Sequence, residues 1–328
     1  MGWVSGARLT AATAAAGGLG ILASVTMTLD QLAAAIDEVQ ARTDNPFGVN
    51  LRADQPDIDA RIKLIVGRGV RVASFAQAPQ QATIARLKEA GVVVMPTIAA
   101  KRHAEKVAQW GVDAVIAQGA EGGGHTGSVP LSLLIPQVVD TVDIPVLAAG
   151  GIVDGRSWVS AVASGAAGVA MGTRFLLTAE SRVPDQVKAR YVAAGVTDTV
   201  VTTALDGFPQ RVIRTDVVDR LEKASPVTRL PKALRQALAF RSVTGTKLRD
   251  MIKEALAMKR NQDLTWAQLA MAANAPMLIK ATMVDGRPEV GILPTGQGVG
   301  RIDDLPTVAE LLERMVLEAH ATLRRLGA

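Results

Sequence analysis

One loop of the 328-residue chain stands apart for its chemistry: Gln118-Gly119-Ala120-Glu121-Gly122-Gly123-Gly124-His125-Thr126-Gly127. Three consecutive glycines have no Cβ atoms, so the backbone can come against a flat ligand, and they deliver a histidine immediately behind. An imidazole ordinarily titrates near pH ~6.5, which suits it to take a proton from an acidic carbon or to hydrogen-bond an oxygen on which charge develops. His125 is therefore the candidate acid-base residue. The other two histidines, His103 and His320, fall within helical patterns and read as surface residues. A loop histidine with a satisfied hydrogen bond and no chemistry remains the bland alternative.

Two further glycine turns point to an anion. Gly150 and Gly151 follow an apolar run, and Gly172-Thr173 follows the next one. Backbone amides at such turns can face a phosphate, and Thr173 adds a hydroxyl at the start of a short helix. Each pair alone could be an ordinary tight turn; two pairs in successive strand-helix units read as one phosphate cradle. Gly296 and Gln297 belong to a later glycine-rich stretch that lacks dinucleotide-fingerprint spacing but could line a pocket. Gly17-Gly18-Leu19-Gly20 also fails as a fingerprint, because the helix precedes the glycines and the strand follows them.

No Ser/His/Asp trio, phosphate-binding P-loop or H-E-x-x-H pattern is legible, and there is no cysteine. Without thiols or a histidine cluster no metal centre is expected, and the chemistry points to an organic cofactor. The absence of disulfides fits a reducing compartment, so a cytoplasmic location is expected. With 48% hydrophobic, 20% charged and 3% aromatic residues, the chain is neither disordered nor collagen-like. The net charge of +5 is uneven: residues 208–260 hold thirteen Lys or Arg against five Asp or Glu. That run could meet anionic groups, or be a solvated helical face. Nucleic acid is not expected as a partner, since base-reading motifs are missing. Residues 9–29 are uncharged, yet too rich in Ala, Thr and Gly for a membrane span.

The elements that must position these residues repeat. Short apolar runs at 19–24, 47–51, 71–75, 92–96, 113–117, 145–149 and 168–172 are each followed by a helical pattern. Runs such as Val92-Val93-Val94-Met95 are apolar on both faces, as parallel strands covered on both sides must be. The fold class expected is α/β, a TIM-type (β/α)8 barrel lacking its first strand, which would lie upstream of Met1, with a smaller helical insert. An open doubly wound sheet is the alternative. The division expected is a barrel over 1–207, a basic helical insert or lid over 208–285, and a return segment with a C-terminal helix over 286–328.

The chain resembles the nitronate monooxygenase, or 2-nitropropane dioxygenase-like, flavoproteins. The likeness rests on Pro46-Phe47-Gly48-Val49-Asn50, the 118–125 loop, Ala148-Ala149-Gly150-Gly151-Ile152 and Met171-Gly172-Thr173-Arg174-Phe175. Leu264-Thr265-Trp266, Asn274-Ala275-Pro276 and Gly296-Gln297 look like an actinobacterial branch assigned to steroid-ring degradation. The resemblance implies a barrel that binds FMN. Met1, Gly2, Asn50, Gln118, Gly123 and Gly124 would contact the isoalloxazine or ribityl parts, and Gly150, Gly151, Gly172 and Thr173 the phosphate. His125 matches the catalytic histidine. Gly122 departs from the alanine commonest in that loop, and Thr97 from a lysine of some members. The expected activity is FMN-dependent oxidoreduction at carbon next to a carbonyl or nitro group, with NAD(P)H as a candidate co-substrate. The favoured substrate is a ring ketone or enone carried on coenzyme A. Nitronate oxidation, quinone or enoyl reduction, flavin binding without turnover and a flavin-free phosphosugar enzyme stay open, as does oligomeric state.

Overall fold

The computed structural model describes residues 1–223 and 275–327. Strands β1 (Ile21–Ala23), β2 (Gly48–Leu51), β3 (Val72–Phe75), β4 (Val93–Ile98), β5 (Val115–Gln118), β6 (Gly124–His125), β7 (Val146–Ala149) and β8 (Gly168–Ala170) alternate with helices. These helices are α1 (Ala7–Ala15), α2 (Leu29–Gln40), α3 (Ile58–Gly67), α4 (Gln81–Glu89), α5 (Lys101–Gln109), α6 (Leu131–Val139) and α7 (Gly155–Ala163). All of these strands except β6 form one parallel sheet in the order β1-β2-β3-β4-β5-β7-β8. Sequential neighbours joined through helices are the arrangement of a TIM-type barrel. Among the described residues β1 and β8 are its two edges.

Burial follows the two-residue period of a strand. Leu22, Val49, Ala73, Val94, Val115 and Ala148 pack with helix residues such as Ile36, Ile62, Ile84 and Leu134. Their immediate neighbours Ile21, Val72, Met95, Ala114, Ile116 and Leu147 form a separate small cluster, the inward layer of the barrel. Because both faces are covered, the strands have no polar alternation to show. Local signals set the helix ends. Thr28 with Gln31, and Asp154 with Ser157, make reciprocal capping boxes at the starts of α2 and α7. Gly91, Gly111 and Gly165 take positive φ just past helix ends, whereas Gly67 stays helical and Gly69 turns the chain. Gly17, at φ 90°, stops α1, so that glycine pair ends a helix.

Beyond β8 come α8 (Thr173–Leu176), α9 (Asp185–Val192), β9 (Thr199–Thr202), β10 (Gln210–Ile213) and α10 (Asp216–Lys223). After the undescribed stretch follow α11 (Ala275–Met283), a 3-10 turn at Gln297–Arg301 and α12 (Val308–Leu326), which lies along α7. A second sheet, absent from the sequence expectation, has the order β6-β10-β9 and is antiparallel. The expected boundary at 208 runs through the β9–β10 hairpin turn. Most of the basic run lies outside the described residues, as do Leu264, Thr265, Trp266 and Asn274.

Candidate active site

The site grows from strand ends on one side of the barrel. Because β7 and β8 are paired, with Ala149 opposite Ala170, the turns that leave them are adjacent. Gly150 and Gly151 take φ of 115° and 70°, which side-chain-bearing residues rarely adopt. The N–H groups of Gly150, Gly151, Gly172 and Thr173 enter no turn, loop or cap hydrogen bond among the described residues. Backbone amides without a hydrogen-bond partner at such turns are able to receive an anion. Met1 lies against this turn: a Cβ on Gly172 would stand 3.3 Å from its sulfur. Gly2 sits beside Thr26 on the loop after β1.

The glycine loop closes over this turn set. A Cβ at Gly150 would come 3.0 Å from the Gly122 nitrogen, and one at Gly123 2.5 Å from the Gly296 nitrogen and the Thr295 carbonyl carbon. Gly296 donates its N–H to the Thr173 hydroxyl at 2.8 Å, and Gln297 its N–H to the Glu121 carbonyl at 2.8 Å. The 295–297 strip is also tied to β10 of the second sheet, through the Thr295 N–H to the Arg211 carbonyl. Residues drawn from four separate parts of the sequence therefore meet: 121–124, 150–151, 172–173 and 295–298. Asn50, at the end of β2, donates from its amide to the Ser74 hydroxyl at 2.9 Å. Gln118, at the end of β5, donates to the His125 carbonyl at 2.7 Å, which pins the loop it begins.

His125 follows the glycines in β6, opposite Gln210 of β10. Its Nε2 lies 2.8 Å from the Asp206 carboxylate, and its ring meets Phe208 edge-on at 6.1 Å between centroids. The imidazole side chain is 64% exposed, whereas Asp206 is 8% exposed. One end of the ring is thus anchored to a buried carboxylate while the rest stays reachable. Arg211 holds the loop through the Ala120 carbonyl at 3.1 and 3.2 Å and the Thr199 hydroxyl at 2.8 Å. Burial lowers the Arg211 guanidinium from its ordinary value, with the Glu121 carboxylate acting in the opposite direction. Beside Gly151 a cavity of about 300 Å³ is walled by Val153, Asp154, Arg156, Ser157 and Arg301. Its two arginines are already committed to Asp154, at 3.4 and 3.0 Å.

Asp206, Phe208, Gln210 and Arg211 are site residues that the sequence reading did not find. A local signal was present: Thr199-Val200-Val201-Thr202 is a β-branched run, Val212-Ile213 is another, and an Asp206-Gly207 turn pair lies between them. Among the described residues no group of three His, Cys, Asp or Glu side chains could hold a metal ion. None of the described helices is long and apolar enough to cross a membrane.

A family model for nitronate monooxygenase matches residues 1–61 and 58–318. The chain belongs to the nitronate monooxygenase family. It is 58% identical over 331 residues to the (3aS,4S,5R,7aS)-5-hydroxy-7a-methyl-1-oxo-octahydro-1H-indene-4-carboxyl-CoA dehydrogenase of Mycobacterium tuberculosis, across 100% of this chain and 93% of that one. Among solved structures, FabK from Thermotoga maritima is 35% identical with a TM-score of 0.79, covering 99% of this chain and 92% of FabK. A nitroalkane oxidase from Streptomyces ansochromogenes is 29% identical with a TM-score of 0.78, covering 99% and 95%. This nitronate monooxygenase family chain is an oxidoreductase on a TIM-type barrel, and the family implies FMN as its cofactor.

Proposed function

We propose that the chain uses FMN to oxidise or reduce a ring substrate carried as a coenzyme A thioester, with His125 handling the proton. The observation that carries this reading is the contact of the Gly122–Gly124 turn with Gly150 on one side and Gly296 on the other, one residue before His125. A phosphate end at Gly150, Gly151, Gly172 and Thr173 would leave the ring portion of a flat cofactor toward the glycine loop and the imidazole. The residues fit such a group: amides without competing acceptors at the phosphate end, Cβ-free backbone along the loop, and the oriented amides of Asn50 and Gln118 nearby. When bound, FMN supplies the electron acceptor or donor. The protein's part is to bind, to orient, and to accept or return a proton at His125. Met1 and Gly2 would border the cofactor, and Gly296 and Gln297 would line the substrate side.

The Mycobacterium tuberculosis relative is named for a hydroxy-oxo-indene carboxyl-CoA, which favours a CoA-linked ring substrate of steroid breakdown here. Thirteen Lys and Arg in residues 208–260, within the proposed 208–285 insert, offer charge for coenzyme A phosphates. NAD(P)H remains a proposed co-substrate. Nitronate oxidation is the second reading, favoured by the likeness to a nitroalkane oxidase. The test is anaerobic: FMN-loaded protein is mixed with propyl-2-nitronate, or with a ring-enone coenzyme A thioester plus NADPH, and the visible flavin band is followed. Substrate-dependent change with the thioester, together with an at least tenfold slower His125→Ala variant, supports the first reading. Bleaching by the nitronate alone selects the second, and no change with either removes both.

A further inference from the structure

The His125 ring is bonded at one nitrogen by a device that the rest of the site does not require. Asp206 lies 81 residues away, in the turn of the β9–β10 hairpin, and is almost wholly buried. That turn is anchored: Leu205 is packed with Val212, Val217, Val218 and Ile292, and the Gly207 N–H bonds the Thr203 carbonyl at 2.9 Å. Three nitrogens converge on the carboxylate. The Phe208 N–H reaches Oδ1 at 3.1 Å; His125 Nε2, at 2.8 Å, and the Gln210 amide both reach Oδ2. Gln210 is itself 2% exposed and sits directly opposite His125 in the β6–β10 ladder.

This arrangement decides which ring nitrogen carries the proton. An unprotonated Nε2 would point its lone pair at an oxygen of the buried carboxylate at hydrogen-bond distance, an electrostatic clash. A protonated Nε2 makes a charge-assisted bond instead. Gln210, whose amide nitrogen is 3.2 Å from Nε2, also spends a hydrogen on Oδ2. Nδ1 has no protein partner among the described residues.

We infer that Asp206 is a positioning residue: it holds His125 as the Nε2–H tautomer and leaves the Nδ1 lone pair as the atom that exchanges a proton with substrate. This rests on the role given to His125 above. In the step, a substrate O–H or C–H bond breaks, its electron pair stays on the substrate, and an N–H bond forms at Nδ1. The resulting imidazolium faces the Asp206 carboxylate, which stabilises it without taking the proton.

The test has a readout independent of turnover. The chain holds three histidines, so ¹⁵N-histidine labelling gives three ring spin systems, and His125→Ala assigns the one of interest. Spectra of the full chain are recorded about two pH units above the ordinary histidine value, where free rings are neutral. Wild type should show His125 as a single Nε2–H form. Asp206→Asn, whose carboxamide can present a donor to Nε2, should raise the Nδ1–H form severalfold, with Asp206→Ala in between. With whichever probe bleaches the flavin, Asp206→Asn should lower kcat at least about tenfold, because the imidazolium then faces no carboxylate, with KM within about twofold. A wild-type ring protonated at Nδ1, or an unchanged tautomer ratio in both variants, overturns the inference. An unchanged kcat in Asp206→Asn with an altered ratio overturns it as well. Full turnover by His125→Ala would instead defeat the proposed role of the histidine, while the tautomer ratio still reports on the Asp206 contact.

Discussion

At the scale of single residues, the site depends as much on missing side chains as on those present. Gly123 has room for no substituent, because a methyl group there would overlap the Thr295 carbonyl and the Gly296 nitrogen at 2.5 Å. Both partners are backbone and cannot rotate away. Gly123→Ala is therefore expected to push the 295–297 strip off the glycine loop and weaken FMN binding at least tenfold, equivalent to about 1.4 kcal/mol. Flavin-fluorescence titration of the apoprotein measures it. Gly6→Ala is the control, since nothing lies within 4 Å of its added methyl and the backbone there is ordinary. The glycines were legible in the sequence as a place where backbone meets something flat. That the first thing met is the chain's own 295–296 segment was not, because that contact joins residues far apart in sequence.

At the scale of elements, each strand-helix unit places one turn, and helix packing sets how closely the turns approach. The unit after β7 is closely packed. Asp154 caps α7, and Gly155 at its first position lies so close to α12 that a Cβ would come 2.4 Å from the Ala319 nitrogen and 2.5 Å from the Met315 carbonyl oxygen. Gly155→Ala should lose about 1–3 kcal/mol of stability, the range for atoms forced into a packed interior. Urea unfolding would register the loss, and a midpoint equal to wild type would contradict the close approach. The capping residues Asp154 and Ser157 are local in sequence, whereas the helix-on-helix distance is a tertiary quantity. The second sheet shows the opposite limit: its β9–β10 hairpin had a local signature, but β6 is two residues long and has none.

At the scale of the whole molecule, the return segment is fastened to the barrel by charge as well as by apolar contact. Asp304 meets Arg314 of α12 and, at 2.8 Å, the buried Arg174 that follows the Gly172–Thr173 turn. The Arg314 hydrogen bond holds the Asp304 carboxyl below its ordinary value of 3.8; partial burial opposes this, and Arg174 adds to the lowering. A carboxyl depressed in the folded state stabilises the fold above its unfolded value, and that contribution disappears as the pH falls through the folded one. Asp154 carries the same sign: burial would raise it, but hydrogen bonds from Ser157 and the charges of Arg156 and Arg301 bring it below its ordinary value. Stability should therefore fall on acidification below about pH 4. Asp304→Asn should be less stable at neutral pH and show a shallower acid loss, read as urea midpoints across that range. An acid limb identical to wild type would rule out this linkage.

The amino-acid sequence by itself determined the repeating strand-helix order, the two-sided burial of the strands and the places where backbone must run bare. Those properties are written within a few residues of one another, in apolar runs, caps and glycines. It also singled out His125 among three histidines. Only the tertiary structure decided what holds that ring: pairing of β6 with β10 sets Gln210 opposite His125 and swings Asp206 beneath it. It likewise decided that residues 295–297 cross the glycine loop. Contacts between segments so distant depend on strand pairing and packing of the completed chain, and no local period or propensity carries them.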